Sequence, residues 1–173
     1  MYAGFWLRLK AFAVDYLLIL AYLAVLLIFS VFLMPSLQGW FQESQITAQI
    51  AGFLLLTLPV SLYFIITDSR VGKQSIGKRK MQIRVVDENN RSISICRSTF
   101  RIALKFLPWE LSHFMAYRMM YMEDGEVLLV DYFIGGLIYG LILLYILMVF
   151  FTKNNQSFYD YFAKTYVVKL KYS

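Results

Sequence analysis

Four long apolar segments, at residues 11–34, 46–66, 103–120 and 127–151, most constrain what this 173-residue chain can fold into. About 20 consecutive apolar residues cross the hydrocarbon core of a bilayer as a helix. The first, second and fourth segments satisfy that requirement. The third contains three charged residues, a proline and a histidine, so it either spans the membrane or lies at its interface. The predicted fold is a single all-α membrane domain, a four-helix transmembrane bundle.

Composition favours the same class. The chain is 60% hydrophobic and 16% charged, whereas soluble domains carry about 25% charged residues. The first apolar segment is also longer than the hydrophobic region of a cleaved signal peptide, which has about 7–15 residues. We therefore interpret it as a retained span. The single cysteine, Cys96, excludes an internal disulfide.

Basic residues fall on one predicted side of the membrane. The link between the first two spans has no lysine or arginine, and the link between the last two is acidic, with Glu123, Asp124 and Glu126. The loop 67–102 is strongly basic, and lysines follow the last span in the tail 152–173. By the positive-inside rule, both termini and the loop face the cytoplasm, and we expect a bacterial inner membrane. The net charge of +6 then faces anionic lipid, and nucleic-acid binding is not predicted.

A small β element is predicted beside the membrane. The stretch "KMQIRVVDENNRSISI", residues 80–95, alternates apolar and polar residues on both sides of Asn89 and Asn90, which is a hairpin pattern. "TYVVKLK", residues 165–171, alternates in the same way. Because an isolated hairpin is marginally stable in water, we expect the tail strand to join it as a third strand.

Two motifs resemble ligand sites. "GKQSIGKR", residues 72–79, has phosphate-loop glycines, but Arg79 stands where such a loop needs Ser or Thr, so a basic loop is the better interpretation. Glu110 and His113 lie three residues apart, on one helical face. His113 is the only histidine, so no metal site and no cofactor is predicted. The two residues form either a buried, proton-handling pair or a water-exposed pair at the interface.

Asp15 places a carboxylate inside the first apolar segment. Such a group costs about 2.5–3.5 kcal/mol at mid-span, and the Leu, Ile, Val and Phe residues of that segment contribute about 4–9 kcal/mol toward insertion. The segment can therefore still insert. Carboxylates at this depth usually have partners. Arg8 lies two turns earlier on the same face, and a residue from another segment is the alternative partner.

Three motifs, in this order, resemble the RDD family, which is named for one arginine and two aspartates: "AGFWLRLKAFAVDYLL", "GKQSIGKRKMQIRVVDENN" and "QSFYDYFAKTYVV". The resemblance covers nearly the whole chain. It implies that Arg8, Asp15 and Asp160 are the family residues. Tyr159 stands where many members have histidine. The family implies transport of ions or other small ligands, including sodium–proton exchange for some members.

The predicted topology brings Arg8 and Asp160 to the same membrane surface, where they can pair. Asp160 also lies three residues after Ser157, the spacing of an N-terminal helix cap. The two roles are compatible, and neither is chosen from the sequence.

Two functions follow. The first is a transporter or exchanger of small ions or solutes, using Asp15, Glu110 and His113 to handle a monovalent cation or proton. The alternative is a non-transporting membrane scaffold or regulator that binds another membrane protein. The first requires charged groups in a shared cavity, and the second allows them to be paired and dry. No enzyme activity is predicted. Gly136 and Gly140 have GxxxG spacing, which serves either homo-oligomerisation or packing within one protomer.

Overall fold

The structure is a computed structural model that describes residues 1–122 and 127–170. The acidic link predicted between the third and fourth segments lies largely outside the described residues. The described chain is mostly helical and carries one small sheet. Its elements are α1 (Phe5–Ile28), α2 (Ser36–Glu43), α3 (Gln45–Gly52), α4 (Leu58–Asp68), α5 (Ile76–Lys80), β1 (Ile83–Val86), α6 (Ile95–Met120), α7 (Leu129–Phe151), α8 (Phe158–Phe162) and β2 (Tyr166–Lys169).

Within residues 1–122 and 127–170, three helical stretches are long and apolar enough to cross a membrane: Phe5–Leu33, Gln45–Asp68 and Leu129–Phe151. The first two contain π-helical turns, Phe29–Leu33 after α1 and Phe53–Thr57 between α3 and α4. Helix α6 is as long as a span but carries five charged residues. The described residues therefore form a helical membrane protein with three clear candidate spans.

Helix α6 begins earlier than the sequence predicted. Ser94 is its N-cap, and its side chain accepts a hydrogen bond from the Arg97 amide at 3.3 Å. This cap satisfies one of the free amides of the first turn, so the helix starts at Ile95. Pro108 consequently lies within the helix.

The prolines inside α4 and α6 share one structural device. A proline has no amide hydrogen, so the carbonyl four residues earlier loses its helical partner. The carbonyl of Leu55, four residues before Pro59, accepts the Tyr22 hydroxyl at 2.7 Å. The carbonyl of Leu104 likewise accepts the Tyr145 hydroxyl at 2.5 Å. Tyrosines of α1 and α7 thus bind to the helices that the prolines interrupt.

The predicted hairpin does not form. Strand β1 pairs antiparallel with β2, from Ile83 opposite Lys169 to Val86 opposite Tyr166. The chain does turn after β1, where the Asp87 carboxylate accepts the Arg91 amide at 2.8 Å. The returning segment cannot extend the sheet, because Ser94 already caps α6. The tail strand therefore pairs with β1 directly, and the Ala3 amide, which donates to Val167 at 2.8 Å, brings the N-terminal segment alongside.

Two apolar clusters lie at the same end of the bundle. The buried charged residues described below lie at this end as well, and we therefore call it the polar end. The first joins the sheet to the start of α1 through Ala3, Ala11, Ile83, Val85, Ile93 and Val167. The second joins Ile19, Phe64 and Ile102 of three helices. On α7, by contrast, a Cβ atom added at Gly136 or Gly140 would meet nothing within 4 Å. The glycine pair therefore faces outward and does not pack within the described protomer.

Candidate functional site: a buried charge network and the adjoining cavity

Asp160, on α8, is fully buried between two arginines. Its Oδ2 accepts Arg8 Nη1 from α1 at 2.5 Å, and its Oδ1 accepts Arg101 Nε from α6 at 2.8 Å. The side chain of Arg8 also donates through Nε to the Ala3 carbonyl at 2.9 Å. One carboxylate therefore holds together the first helix, the sixth helix and the tail.

A second buried carboxylate extends this arrangement. Asp68, the last residue of α4, accepts Arg101 Nη1 at 2.8 Å and also pairs with Lys78 of α5. Arg101 thus bridges two carboxylates. We call the alternating series Arg8, Asp160, Arg101, Asp68 and Lys78 the charge network. It connects α1, α4, α5, α6 and α8 at the polar end.

The charge network shifts the pKa values of its own ionisable groups. Burial alone would raise the pKa of the Asp160 carboxyl, but the charges of Arg101 and Arg8 outweigh it and lower that pKa to about 2. Burial lowers the pKa of the Lys78 ammonium, and the negative charge of Asp68 acts in the opposite direction. Asp160 is therefore an anion at any physiological pH, as the geometry of its two arginine contacts requires.

Both roles that the sequence suggested for Asp160 occur together. Its Oδ2 accepts the Ser157 amide at 3.4 Å, at the N-cap that starts α8. The same oxygen accepts Arg8. The neighbouring Tyr159 places its ring 5.1 Å from the Arg101 guanidinium. The short helix α8 therefore presents a carboxylate and an aromatic face to the arginine of α6.

Asp15 does not pair with Arg8. It is almost fully buried and accepts three hydrogen bonds: from Ser75 Oγ at 2.6 Å, from the Gly77 amide at 2.7 Å and from the Tyr63 hydroxyl at 3.0 Å. Its partners thus come from other segments, which was the alternative that the sequence left open. Asp15 fastens the glycine-containing loop and α5 onto α1.

Gly77 explains why this loop carries its second glycine. A Cβ atom at Gly77 would overlap the Ala11 carbonyl oxygen, a backbone atom of α1, far inside the 3.0 Å that real Cβ atoms keep. Only glycine therefore allows α5 to lie against α1 at this point. The motif that resembled a phosphate loop is a close helix contact in the structure.

Glu110 and His113 lie apart from the charge network. Glu110 accepts Gln49 Nε2 and Thr57 Oγ1, each at 2.6 Å. His113 Nδ1 is 3.9 Å from the Glu110 carboxylate, and both side chains are only partly buried. Glu110 therefore joins α6 to α3 and the π-helical turn. The described residues contain no group of three or more Asp, Glu, His or Cys placed to hold a metal ion.

A cavity of about 510 Å³ adjoins the charge network. It lies among α1, α6 and α7, and its polar wall includes Arg8, Asp15, Lys78, Arg101 and Lys105. The rest of the wall is mostly aliphatic and aromatic. The cavity is therefore amphipathic, with charged groups at the polar end and apolar groups deeper in the bundle.

Lys105 differs from the other cations of the cavity wall, because aromatic rings rather than carboxylates lie beside its ammonium group. Its Nζ lies 4.2 Å from the centre of the Phe64 ring, 5.2 Å from that of Phe12 and 5.6 Å from that of Phe106. Such ring faces attract an ammonium group. Among the described residues, no carboxylate forms an ion pair with Lys105.

Sequence reasoning did not select Asp68, Arg101, Lys78 or Lys105. Three of them are cations in or beside the basic loop, where they looked like ordinary positive-inside charges. Asp68 ends an apolar run, where a carboxylate in the interface needs no explanation. A usable signal was charge balance: Arg8 alone could not neutralise both Asp160 and Asp68, so a further cation had to lie beside these two carboxylates.

These features define an α-helical membrane protein whose helices are fastened at one end by buried ion pairs. The chain belongs to the RDD family, whose sequence profile matches residues 2–164 and so includes Arg8, Asp15 and Asp160. Comparison with curated proteins and with solved structures gave no match.

Proposed function

We propose that this protein is a transporter of a small solute, in which the charge network is a fixed frame and the cavity is the solute site. The observation that carries this proposal is the cavity of about 510 Å³ with Lys105 in its wall. Small-ligand pockets usually have volumes of about 300–1,000 Å³. Ionisable groups at membrane depth commonly mark solute pathways.

The charges of the cavity wall favour an anion over a cation. Three of the cations that line it, Arg8, Lys78 and Arg101, are paired with Asp160 and Asp68, which leaves Lys105 as the uncompensated charge of the wall. The carboxylate in this wall is Asp15. That carboxylate is already occupied by three hydrogen-bond donors. A proton or monovalent cation handled by Asp15, Glu110 and His113 is the weaker version of the proposal, because Glu110 and His113 do not line the cavity with Asp15.

The proposed topology has four spans, with α6 as the third, and places the polar end in the cytoplasm of a bacterial cell. The contact of the N-terminal segment, β1 and β2 supports the four-span count, because segments that touch must lie on one side of the membrane. The basic loop would then face anionic lipid. Homo-oligomerisation through the outward Gly136 and Gly140 is a further part of the proposal.

A non-transporting scaffold or regulator is the second candidate. It is favoured by the charge network itself, in which every carboxylate is buried and paired. Charges of this kind lock a structure and move no ion. Under this proposal the partner is another membrane protein that binds the exposed apolar faces of the helices.

Flux through proteoliposomes separates the two candidates. Purified protein is reconstituted, and gradients of protons, sodium, chloride, phosphate and small carboxylates are followed with ion-sensitive dyes or isotopes. We expect anion flux that falls at least tenfold in Lys105→Gln and is unchanged in Lys10→Gln, a matched change at an exposed lysine. A folded, inserted wild type that moves none of these solutes would favour the scaffold.

A further inference from the structure

We propose that the cavity beside the charge network binds an anionic amphiphile with one acyl chain, its carboxylate or phosphate head at Lys105 and its chain deeper in the bundle. The inference deepens the proposed function by naming the ligand class of the same site. It needs the cavity to be a binding site and does not need transport to occur.

The head position follows from a charge count. The network and the cavity wall together hold four cations, Arg8, Lys78, Arg101 and Lys105, and three carboxylates, Asp15, Asp68 and Asp160. One positive charge is left over, and Lys105 is the cation without an ion pair among the described residues. A carboxylate or phosphate on a ligand would balance it with a charge-assisted hydrogen bond.

Arg8 supplies a second donor in the same wall. Its Nη1 is used by Asp160, but its Nη2 is buried and has no hydrogen-bond partner among the described residues. A buried donor without a partner carries a desolvation penalty that an acceptor removes. Two donors in one wall, one of them an uncompensated cation, fit an anionic head better than a neutral one.

The remainder of the cavity fits an acyl chain. Phe12, Phe106, Trp109, Ile142 and Ile146 line it on three helices. None of these five side chains is charged or accepts a hydrogen bond, so none would bind a second ionic group of the ligand. A chain of methylene groups would gain the apolar contacts that a small hydrophilic anion would leave unused.

The side of the bundle gives such a ligand a route from the membrane. Helices α1 and α7 meet at the polar end, where the rings of Phe5 and Phe150 are 4.9 Å apart. Further along, Leu9 and Tyr16 of α1 and Ile142 of α7 line the cavity and are still 43%, 40% and 42% exposed. The cavity therefore opens between α1 and α7, toward the lipid chains.

Trp109 allows direct detection, because it lines the cavity and the other tryptophans, Trp6 and Trp40, do not. In a Trp6→Phe, Trp40→Phe background, 9,10-dibromostearate should quench the Trp109 fluorescence saturably. Its uncharged methyl ester has the same chain and bromines. We expect the ester to bind at least tenfold more weakly than the acid.

Variants test the head position in the same background. Lys105→Gln should weaken binding of the acid at least tenfold and bring it close to that of the ester. Lys105→Arg should retain most of the affinity, and Lys10→Gln should retain all of it. If Lys105→Gln does not fold, the comparison of acid and ester on the parent chain still decides the question.

Three results would overturn the inference: equal quenching by acid and ester, equal effects of Lys105→Gln and Lys10→Gln, or displacement of the bromolipid by inorganic phosphate or acetate. The last would assign the site to a small free anion. Binding that passes these tests without any flux in proteoliposomes would refute transport and retain the ligand class. Flux of small anions without amphiphile binding would refute the ligand class and retain transport.

Discussion

Asp160 is the residue on which most of the polar end depends, because it is buried with two arginines on its two oxygens. Removing one member of a buried ion pair strands the other, which costs about 3–5 kcal/mol. The position of Arg101 between Asp160 and Asp68 spreads that effect to α4. Single changes at this end should therefore affect the whole bundle.

Arg8→Ala and Asp160→Ala should each lower the unfolding free energy, by about 3–5 kcal/mol. The double variant should lose clearly less than the sum, because neither charge is then stranded. Reversible unfolding in detergent measures the free energy of unfolding of the wild type, the two single variants and the double variant. Strict additivity would mean that Arg8 and Asp160 contribute to stability separately.

The Asp160 carboxylate should also make the free energy of unfolding depend on pH. The pKa of Asp160 falls from its ordinary 3.8 in the unfolded chain to about 2 in the folded one. A depressed pKa stabilises the fold above the unfolded value, and this contribution disappears as the pH falls through the folded value. The stability difference between wild type and Asp160→Asn should therefore shrink between about pH 4 and pH 2. A difference that is constant over this range would contradict the depressed pKa.

Gly77 gives a sharp test of the contact between α5 and α1. Gly77→Ala should destabilise the protein strongly, because the added methyl group overlaps the Ala11 carbonyl oxygen. Gly136→Ala is the matched control on α7, where a methyl group meets nothing within 4 Å. Thermal unfolding of both variants in detergent measures the difference. Equal stability of the two would contradict the close approach.

At this scale the sequence was informative about individual family residues and uninformative about their partners. Arg8 and Asp160 lie in recognisable motifs, and the topology brought them to one surface. Asp15 could not be partnered from the sequence, because its ligands include a serine hydroxyl and an amide in a loop 60 and 62 residues away. Hydroxyl and backbone donors leave no charge pattern to read.

At the scale of helices, tyrosines from neighbouring helices donate to the carbonyls that the two internal prolines leave without a helical partner. Tyr22→Phe should leave the Leu55 carbonyl without a donor and destabilise the protein by about 1–3 kcal/mol. In a Pro59→Ala background the restored amide can serve that carbonyl, so the same change should cost less. Tyr139→Phe, at an exposed tyrosine of α7, is the control. A cost at Tyr22 that is unaffected by Pro59→Ala would refute the shared device.

The helices were predictable and the sheet partly so. Apolar runs long enough to span a membrane mark three helices directly. The hairpin prediction was wrong because alternation continues through Ile93 and Ile95, while the decisive residue, Ser94, lies between them and caps α6. The helix α2 was also missed, because residues 36–43 separate two spans and lack a long apolar run. The tail strand was identified correctly because its alternation is not interrupted.

For the whole molecule, the proposed orientation makes Cys96 accessible from the cytoplasm. Cys96 is exposed at the start of α6, so a membrane-impermeant maleimide should label it in inverted vesicles and leave it unlabelled in intact cells. In a Cys96→Ser background, Val127→Cys should show the opposite pattern if α6 spans the membrane. Labelling of both positions from one side would show that α6 does not cross.

The pairing of Arg8 with Asp160 also has a consequence for biosynthesis. The two residues are 152 positions apart. The Ala3 amide likewise donates to a carbonyl far along the chain, that of Val167. The ribosome therefore delivers the first span long before its counter-ion and its β partner exist. During that interval Arg8 must remain hydrated or bind lipid phosphate, and the polar end closes only after the tail has been translated. A ribosome that stalls before codon 160 would leave Arg8 without its counter-ion and the N-terminal segment without its β partner.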